Sequence, residues 1–440
     1  MNPELSLRSD RSHAVVLCCV LWVACTVAKD KPTPSEDAGP TTCTTHSECA
    51  SNVCLPDASC ADAQAVAYVD PKGTDNMSCT KEVPCSSVQV ALGTKRPYVV
   101  ISGSNTTAQT IRITNQNVTL FGSAGAKLIR SAPGVLIEVA GTSQAALFDL
   151  EIIGASGGDP KTTHGISLER GSTVTVSLER VTISSHAGDG LHIDGGMAKV
   201  TGSTLSSNGT GLGIGEGGNA TVVLTTINNN NYGVLSSYTS KGVTLDISQS
   251  TVSNNSKYGV GAFVDTLRLS RSIISGNRGV ALAFGNTFQV LNNYIVRNSD
   301  KGSAAVWMAP DPTGNSKFEF NTVADNASEL GSTGGMDFFG SDTGISIPNN
   351  IFARNTGMDP SSPQVSPRGN PGNSFVVGPG ANMPGFVHPD SPPYDYHLTA
   401  STPAAILDAA ACGAVAEDFD GDMRPTHGKC DVGADEYQPK

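Results

Sequence analysis

A short segment that ends in a polar residue recurs eight times along the middle of the chain. Each copy has an apolar residue three positions before its end, and successive ends are 21 to 29 residues apart, most often 22. The segments end at His186, Asn208, Asn230, Asn255, Asn277, Asn298, Asn326 and Asn355. A period near 22 residues excludes helical arrays, whose units have about 33 residues or more, and propeller blades of about 40.

A second apolar segment follows most copies, usually after a glycine, and alternates apolar residues with small or polar ones. A period of two is the pattern of a strand with one buried face. The residues predicted to point inward are Ile166, Leu168, Leu191, Ile193, Leu212, Ile214, Val260, Ala262, Val264, Val280, Leu282, Phe284, Val306, Met308, Met336 and Phe338. The asparagines between the strands tolerate left-handed turns, and stacking would align their side chains as a hydrogen-bonded ladder. The pattern predicts an all-β parallel solenoid.

The repeats, most clearly Asn349–Thr356 with the sequence NNIFARNT, resemble the right-handed parallel β-helix repeats of the pectate-lyase-like superfamily. The resemblance covers roughly residues 68–398 and implies about a dozen coils over residues 65–400. It also implies a capping segment at the C-terminal end of the solenoid, over residues 401–440. The superfamily contains lyases, hydrolases, epimerases and non-catalytic surface proteins, so the fold alone leaves the function open.

The N-terminus predicts export. An apolar run over residues 14–24 is too short to span a bilayer but suits a signal peptide. Cys25 follows in a context that resembles a bacterial lipobox, so residues 1–25 are interpreted as a signal peptide ending at a lipidated cysteine. The alternative is cleavage after Ala28, which would release a secreted protein. Residues 26–42 are polar and contain proline, as a tether does. The predicted location is the bacterial outer membrane, as a lipoprotein, or the extracellular space.

Eight of the eleven cysteines lie outside the signal region. Residues 43–62 are too short to bury a core, so two disulfides are predicted there, with zinc as the alternative. The pairing stays open, because four cysteines allow three connectivities. Two further bonds are predicted, one in a loop near the start of the solenoid and one in the C-terminal segment. The disulfide cysteines are Cys43, Cys49, Cys54 and Cys60 in the module, then Cys79 with Cys85, and Cys412 with Cys430.

Acidic residues outnumber basic residues by 40 to 28, which gives a net charge of −12. This sign repels phosphates, and the chain has no basic stripe of the kind that duplex binding requires. Nucleic acid is therefore not a predicted partner. The motifs of polygalacturonases are also missing from the sequence.

One cluster of titratable residues is a candidate catalytic site. His186, Asp189, His192 and Asp194 lie in the sequence SSHAGDGLHIDGG, and Glu169 takes the position of Asp194 one coil earlier. Neighbouring rungs would separate Glu169 and Asp194 by about the 5–5.5 Å of a retaining glycosidase pair. His192 lies on the same face and can titrate near neutral pH. Glu169, His192 and Asp194 are the candidate catalytic residues, and the alternative is an ordinary polar solenoid face.

Three aromatic residues, Phe263, Trp307 and Phe339, are predicted on the same outward face beside glycines and alanines. Exposed rings stack on the apolar faces of sugars, so these residues are the candidate ligand-binding site. The alternative is that they pack beneath loops.

Three alternating carboxylates, Asp418, Asp420 and Asp422, suit a calcium ion. Gly421 falls at loop position four, however, whereas an EF-hand has its glycine at position six. Structural capping, with Arg424 paired to an acid, is therefore the preferred interpretation. No other cofactor is predicted.

The leading hypothesis is a non-catalytic surface protein whose β-helix binds polysaccharide or another cell-surface component. The first alternative is a polysaccharide lyase or glycosidase that acts on the outward face. The second is a structural adhesin or spacer.

Overall fold

The computed structural model describes residues 42–439 except 156, 237–240, 303, 310–314, 340–343, 382 and 427. The predicted signal peptide, Cys25 and the tether up to residue 41 lie outside the described residues. The described chain winds into a parallel β-helix with three faces, here called sheets I, II and III. Within this range the sheets contain 11, 10 and 12 strands. The predicted all-β solenoid of about a dozen coils is confirmed.

The strands of each sheet stack in chain order. Sheet I consists of Val66–Val69, Tyr98–Ile101, Asn117–Gly122, Thr142–Phe148, Thr173–Glu179, Gly196–Thr201, Gly218–Val223, Thr244–Ser248, Thr266–Ser270, Thr287–Leu291 and Lys317–Glu319. Sheet II consists of Ile111–Thr114, Ile137–Ala140, Ile166–Leu168, Asp189–Ile193, Thr210–Ile214, Tyr232–Ser236, Val260–Ala262, Leu282–Phe284, Val306–Met308 and Met336–Phe338. Sheet III consists of Ser104–Thr107, Lys127–Arg130, Glu151–Ile153, Thr182–Ser184, Thr204–Ser206, Thr226–Asn228, Thr251–Ser253, Ile273–Ser275, Tyr294–Val296, Thr322–Ala324, Ile351–Ala353 and Phe375–Val377.

Shorter elements lie between and beyond the three sheets. The described residues contain one α-helix, Val88–Gly93, and two 3₁₀ turns, His46–Glu48 and Ala63–Ala65. Two short parallel pairs join Ser299–Asp300 to Ala327–Ser328 and Ile345–Ser346 to Gly369–Asn370, and one antiparallel pair joins Phe386–His388 to Asp395–Leu398.

Each turn repeats the register of the turn before it. Ile166 pairs with Ile137 of the preceding turn and Leu191 of the following one, and the column continues through Leu212 and Val234. A slip of one residue would move such a column from the core to the surface, so burial fixes the register. All sixteen residues that the sequence predicts to point inward are buried.

The recurring asparagines form a hydrogen-bonded ladder between sheets III and II. The side-chain carbonyl of Asn255 accepts the backbone N–H of Asn230 at 3.0 Å, and that of Asn277 accepts the N–H of Asn255 at 3.1 Å. The ladder begins at the buried His186 and ends on the side chain of Gln364. The predicted ladder is confirmed, and it gives partners to backbone groups that the stacked turns bury.

The left-handed residue of each turn is the one before the ladder asparagine. Ser207, Asn229 and Asn254 have φ values of 58°, 55° and 54°. The sequence assigns this bend to the ladder asparagine itself, which is wrong. The ladder residue contributes its side-chain amide, and the preceding residue turns the chain.

A second ladder, which the sequence does not predict, lies between sheets I and III. The N–H of Thr225 donates to the hydroxyl of Ser250 at 3.1 Å, and the N–H of Ser250 donates to that of Ser272 at 3.2 Å. Asparagine takes the same place farther along, where the N–H of Asn293 donates to the side chain of Asn321 at 3.1 Å. Serine, threonine and asparagine all occupy this ladder. No single residue type therefore recurs in the sequence to reveal it.

The N-terminal module is joined by two disulfides, Cys43–Cys54 and Cys49–Cys60, which leave no free thiolate there for zinc. It packs on the solenoid, where the Tyr68 hydroxyl donates to the carbonyl oxygen of Ser51 at 2.9 Å. The Cys79–Cys85 bond lies near the first turn, and the helix Val88–Gly93 buries Val88, Ala91 and Leu92 against that end of the core.

The C-terminal segment packs along the outer side of sheet III. Its apolar residues bury Tyr294 and Val296, whose side chains point away from the solenoid core. The Ala434 N–H donates to the Thr322 hydroxyl at 3.1 Å, which ties the segment to a strand of that sheet. The sequence predicts a cap at the end of the solenoid, whereas these contacts cover one of its sides. The Cys412–Cys430 disulfide joins two parts of the segment.

The turn that contains Asp418, Asp420 and Asp422, here called the aspartate turn, is stabilised by hydrogen bonds from backbone N–H groups of the same segment. One oxygen of Asp418 accepts the N–H groups of Gly421 and Asp422, and the other accepts the N–H of Glu436. Arg424 is buried and forms the expected ion pair, at 3.1 Å from Glu436. Asp418 therefore has a backbone partner for each of its two oxygens.

We predict that the Asn255→Ala substitution destabilises the solenoid, because it leaves the buried N–H of Asn230 without its acceptor. The expected loss in the free energy of unfolding is about 1–3 kcal/mol, measured by urea titration followed by circular dichroism. The matched control is Asn231→Ala, since Asn231 is exposed and lies outside the ladder. Equal losses in the two variants would contradict this role for the ladder.

Candidate functional site

The outward side chains of sheet II form one continuous column, here called the outer column. Neighbouring members are paired in register and lie one rung, about 4.8 Å, apart. Five rungs separate His192 from Trp307, or about 24 Å along the face. The column contains Arg112, Glu138, Ser167, His192, Gly213, Leu235, Gly261, Ala283, Trp307 and Asp337.

His192 is hydrogen-bonded to Asp189, and the sequence instead grouped it with Asp194. Its Nδ1 lies 2.6 Å from Asp189 Oδ2, and its ring is 30% exposed. Burial works against the charged imidazole, but the hydrogen bond and charge of Asp189, with the charge of Asp194, outweigh it and raise the pKa of His192. Asp189 therefore orients the ring and leaves Nε2 for a ligand.

His164, which is not among the candidate residues that the sequence predicts, completes this cluster. Its ring stacks on that of His192 with centroids 4.4 Å apart. Nδ1 of His164 accepts the N–H of Asp189 at 3.0 Å, and Nε2 lies 3.0 Å from the carbonyl oxygen of Lys161. Burial lowers the pKa of His164. A neutral ring with both nitrogens occupied acts as a support.

The signal for His164 is present in the repeat. His164 and Asp189 each stand directly before a glycine near the start of a sheet II strand, in successive turns of the solenoid. The ligand atoms of His164, Asp189 and His192 all lie within 4.8 Å of one another. Because the nitrogens of His164 already have partners, this group suits an aspartate–histidine pair better than a metal ion.

Glycines of the next turn make room for the carboxylates. A Cβ atom at Gly213 would lie 2.1 Å from Asp189 Oδ2, and one at Gly215 would lie 2.4 Å from Asp194 Oδ1. A side chain at either position would have to displace the carboxylate. Gly213 of the outer column and Gly215 beside it thus leave the space that the two carboxylates occupy.

The other predicted catalytic residues occupy different environments. Asp194 is half-buried, and its N–H donates to the carbonyl oxygen of Leu168 at 3.2 Å, one residue before Glu169. Glu169 is exposed and accepts the Ser172 hydroxyl at 3.0 Å. Their pairing as glycosidase carboxylates stays a prediction. His186 lies inside the ladder, where burial lowers its pKa to about 4, and so it does not belong to the outward site.

The three aromatic residues meet in one cluster. The Trp307 and Phe339 rings stack with centroids 3.6 Å apart, and Phe263 meets Phe339 edge-to-face at 5.8 Å. All three side chains are half-buried. Gly285 adjoins this cluster, and a Cβ atom there would lie 2.7 Å from Cβ of Ala309 and 3.7 Å from the Phe263 ring.

A basic patch with tyrosines adjoins the middle of the outer column, and the sequence gives no sign of it. Lys257 lies over the Tyr232 ring, 4.7 Å from its centroid, and the rings of Tyr232 and Tyr258 meet edge-to-face at 5.9 Å. Arg278 and Lys301 line the same depression of about 550 Å³, together with Leu235, Gly279 and Asp300. Three cations and one acid give this patch a positive charge in a chain of net charge −12.

No helix among the described residues is long and apolar enough to cross a membrane.

The comparisons with known proteins concern the fold. Residues 164–352, which span the histidine cluster and the aromatic cluster, match the family model described as right handed beta helix region. No curated protein matches the chain in sequence. The pectate lyase Pel9A is 14% identical, with a TM-score of 0.52 over 85% of this chain and 96% of the lyase. The A-module of the mannuronan C-5 epimerase AlgE6 from Azotobacter vinelandii is 14% identical, with a TM-score of 0.38 over 64% of this chain and 90% of the module.

Proposed function

Taking the right-handed β-helix as the premise, we propose that this chain binds polysaccharide along the outer column of sheet II. The observation that carries the proposal is the stacked Trp307–Phe339 pair, half-buried at one end of a column of small residues. Aromatic rings on a concave or flat protein surface stack on the apolar faces of sugars. The distance of about 24 Å between His192 and Trp307 suits an extended polysaccharide chain.

The basic patch favours an acidic polysaccharide. Lys257, Arg278 and Lys301 concentrate positive charge beside the outer column, and ring faces of Tyr232 and Tyr258 lie next to that charge. Uronate sugars offer a carboxylate for the cations and an apolar face for the rings. The similar solved structure of a pectate lyase agrees with this choice, since pectate is named as its substrate.

We predict that Trp307→Ala weakens binding to an acidic polysaccharide at least tenfold, because the stacked pair loses its larger ring. Polygalacturonate and alginate are suitable probes in isothermal titration or affinity electrophoresis, with neutral dextran as the reference. Lys257→Ala should weaken binding at low salt and matter less as ionic strength rises. The matched control is Tyr394→Ala, an exposed aromatic residue on the other side of the solenoid. Binding that is equal in Trp307→Ala and the parent protein would exclude this site.

A second candidate function is cleavage of the bound polysaccharide, favoured by the Asp189–His192 pair. In β-elimination, His192 Nε2 would take the proton from C5 of a uronate. The electrons of the C5–H bond would form the C4–C5 double bond as the C4–O4 bond breaks. The sugar that leaves with O4 would take a proton from water. Asp189 would hold the ring and stabilise the imidazolium. Glu169 and Asp194 remain the candidates for a hydrolytic version with two carboxylates.

We predict for this second function that product formation, followed by the absorbance of the unsaturated sugar, is lost in His192→Ala. The rate should rise with pH through the pKa of His192, because the neutral ring is the base. Asp189→Asn should lower that pKa and move the profile to lower pH, which histidine NMR titration can follow independently. Binding without any product in the parent protein, with or without added calcium, would leave the non-catalytic function standing.

We propose export as the setting of this function. Four disulfides in the described residues are typical of proteins that fold in an oxidising compartment. The predicted lipid anchor at Cys25 would hold the β-helix at the outer membrane through the tether. The mass of the mature N-terminus distinguishes this arrangement, with a lipid-modified cysteine, from cleavage after Ala28.

A further inference from the structure

Three metal-ligating side chains converge where the C-terminal segment covers sheet III. His397 belongs to the strand Asp395–Leu398, Asp420 to the aspartate turn, and Asp435 to the last stretch of the described chain. One ligand atom from each lies within 4.8 Å of the others, and His397 Nε2 is 2.8 Å from Asp420 Oδ2. Residues far apart in sequence thus direct one imidazole and two carboxylates at a single point.

The histidine is oriented as in metal sites. His397 Nδ1 is hydrogen-bonded to Asp395, which directs Nε2 toward Asp420 and Asp435. A carboxylate on the far nitrogen is the usual support of a metal-bound histidine, because it fixes the ring and raises its basicity. Asp435 is buried and uses one oxygen for the N–H of Leu398 at 2.6 Å. Its other oxygen has no hydrogen bond among the described residues.

A buried hydroxyl provides an independent sign of a ligand. Tyr294 is only 4% exposed, and its hydroxyl oxygen has no hydrogen-bond partner among the described residues. Its ring lies edge-to-face on the His397 ring at 5.6 Å, and both residues line one cavity of about 550 Å³.

Two other charged side chains of the segment, Asp418 and Arg424, already have partners. Asp418 gives its oxygens to three backbone N–H groups, and Arg424 is paired with Glu436. Among the described residues, no lysine or arginine forms an ion pair with Asp395, Asp420 or Asp435. The histidine itself is the one basic side chain paired with any of these three carboxylates among the described residues, and a bound cation would add positive charge there.

We propose that His397, Asp420 and Asp435 bind a divalent transition metal ion, with Asp395 as the support of the histidine. An imidazole with two carboxylates suits Zn²⁺ or Mn²⁺, whereas Ca²⁺ prefers six to eight oxygen ligands. Tetrahedral ligands at about 2.1 Å from zinc lie about 3.4 Å apart. The 2.8 Å between His397 Nε2 and Asp420 Oδ2 would therefore widen slightly on binding, and separations of up to 4.8 Å would shorten. A water bound to the ion would give the Tyr294 hydroxyl the hydrogen-bond partner that it lacks among the described residues. The ion joins the strand, the aspartate turn and the C-terminal stretch over sheet III.

The test is isothermal titration of the purified, EDTA-treated protein with ZnCl₂, MnCl₂ and CaCl₂. We expect one Zn²⁺ per chain, a weaker response to Mn²⁺, little to Ca²⁺, and a higher thermal midpoint in the presence of Zn²⁺. Asp420→Asn, at an exposed position, should abolish most of the affinity without disturbing the fold. Asp395→Asn should weaken binding by about 10- to 100-fold.

Two control variants separate this site from the other histidines. His388→Ala removes an exposed histidine that lines the same cavity, and His192→Ala removes the histidine of the outer column. Both should bind Zn²⁺ like the parent protein. The proposal is overturned if the parent protein binds no Zn²⁺, if Asp420→Asn and folded His397→Ala bind it unchanged, or if His192→Ala is the variant that loses it.

Discussion

The structure depends on hydrogen bonds that pass from each turn of the solenoid to the next. Parallel sheets satisfy the backbone within strands, but the corners between them bury N–H groups that no strand can reach. The ladder that includes Asn230, Asn255 and Asn277 gives those groups side-chain acceptors. An unsatisfied buried donor costs about 1–3 kcal/mol, so a solenoid of this length could not leave its corners empty. The ladder thus also fixes the spacing at which outward side chains meet.

That spacing turns distant residues into neighbours. His164, Asp189 and His192 come from two successive turns of the solenoid. Gly213, from a third turn, leaves the space that the Asp189 carboxylate occupies. Trp307 reaches the same face because every intervening turn keeps its register. An outward face about 24 Å long follows from the repeat without any dedicated scaffold. The repeat produces the continuous outward face. The side chains that differ from one turn to the next give that face its polar and aromatic groups.

Within the solenoid, only the features that follow the repeat can be predicted from the sequence. The period of 22 and the alternation at Leu191/Ile193 predict the inward columns, because a solenoid has only one way to bury them. The partner of His192 is beyond that reasoning, since whether its ring turns toward Asp189 or Asp194 depends on rotamers and on the space above Gly213. The C-terminal segment has no period at all. The meeting of Asp420 and Asp435 with His397 is set by loop packing, which no spacing rule encodes.

The start of the ladder shows how the fold permits chemistry. At this corner His186 takes the asparagine position, and burial, which lowers its pKa to about 4, keeps the ring neutral at pH 7. The ladder therefore tolerates a histidine without burying a charge. Outward positions carry even less constraint, because a change there neither opens a cavity nor breaks a corner hydrogen bond. His192 and Trp307 occupy such positions. In a solenoid, packing constrains the residues that point inward. Residues that bind a ligand or carry out a reaction therefore have to occupy outward positions.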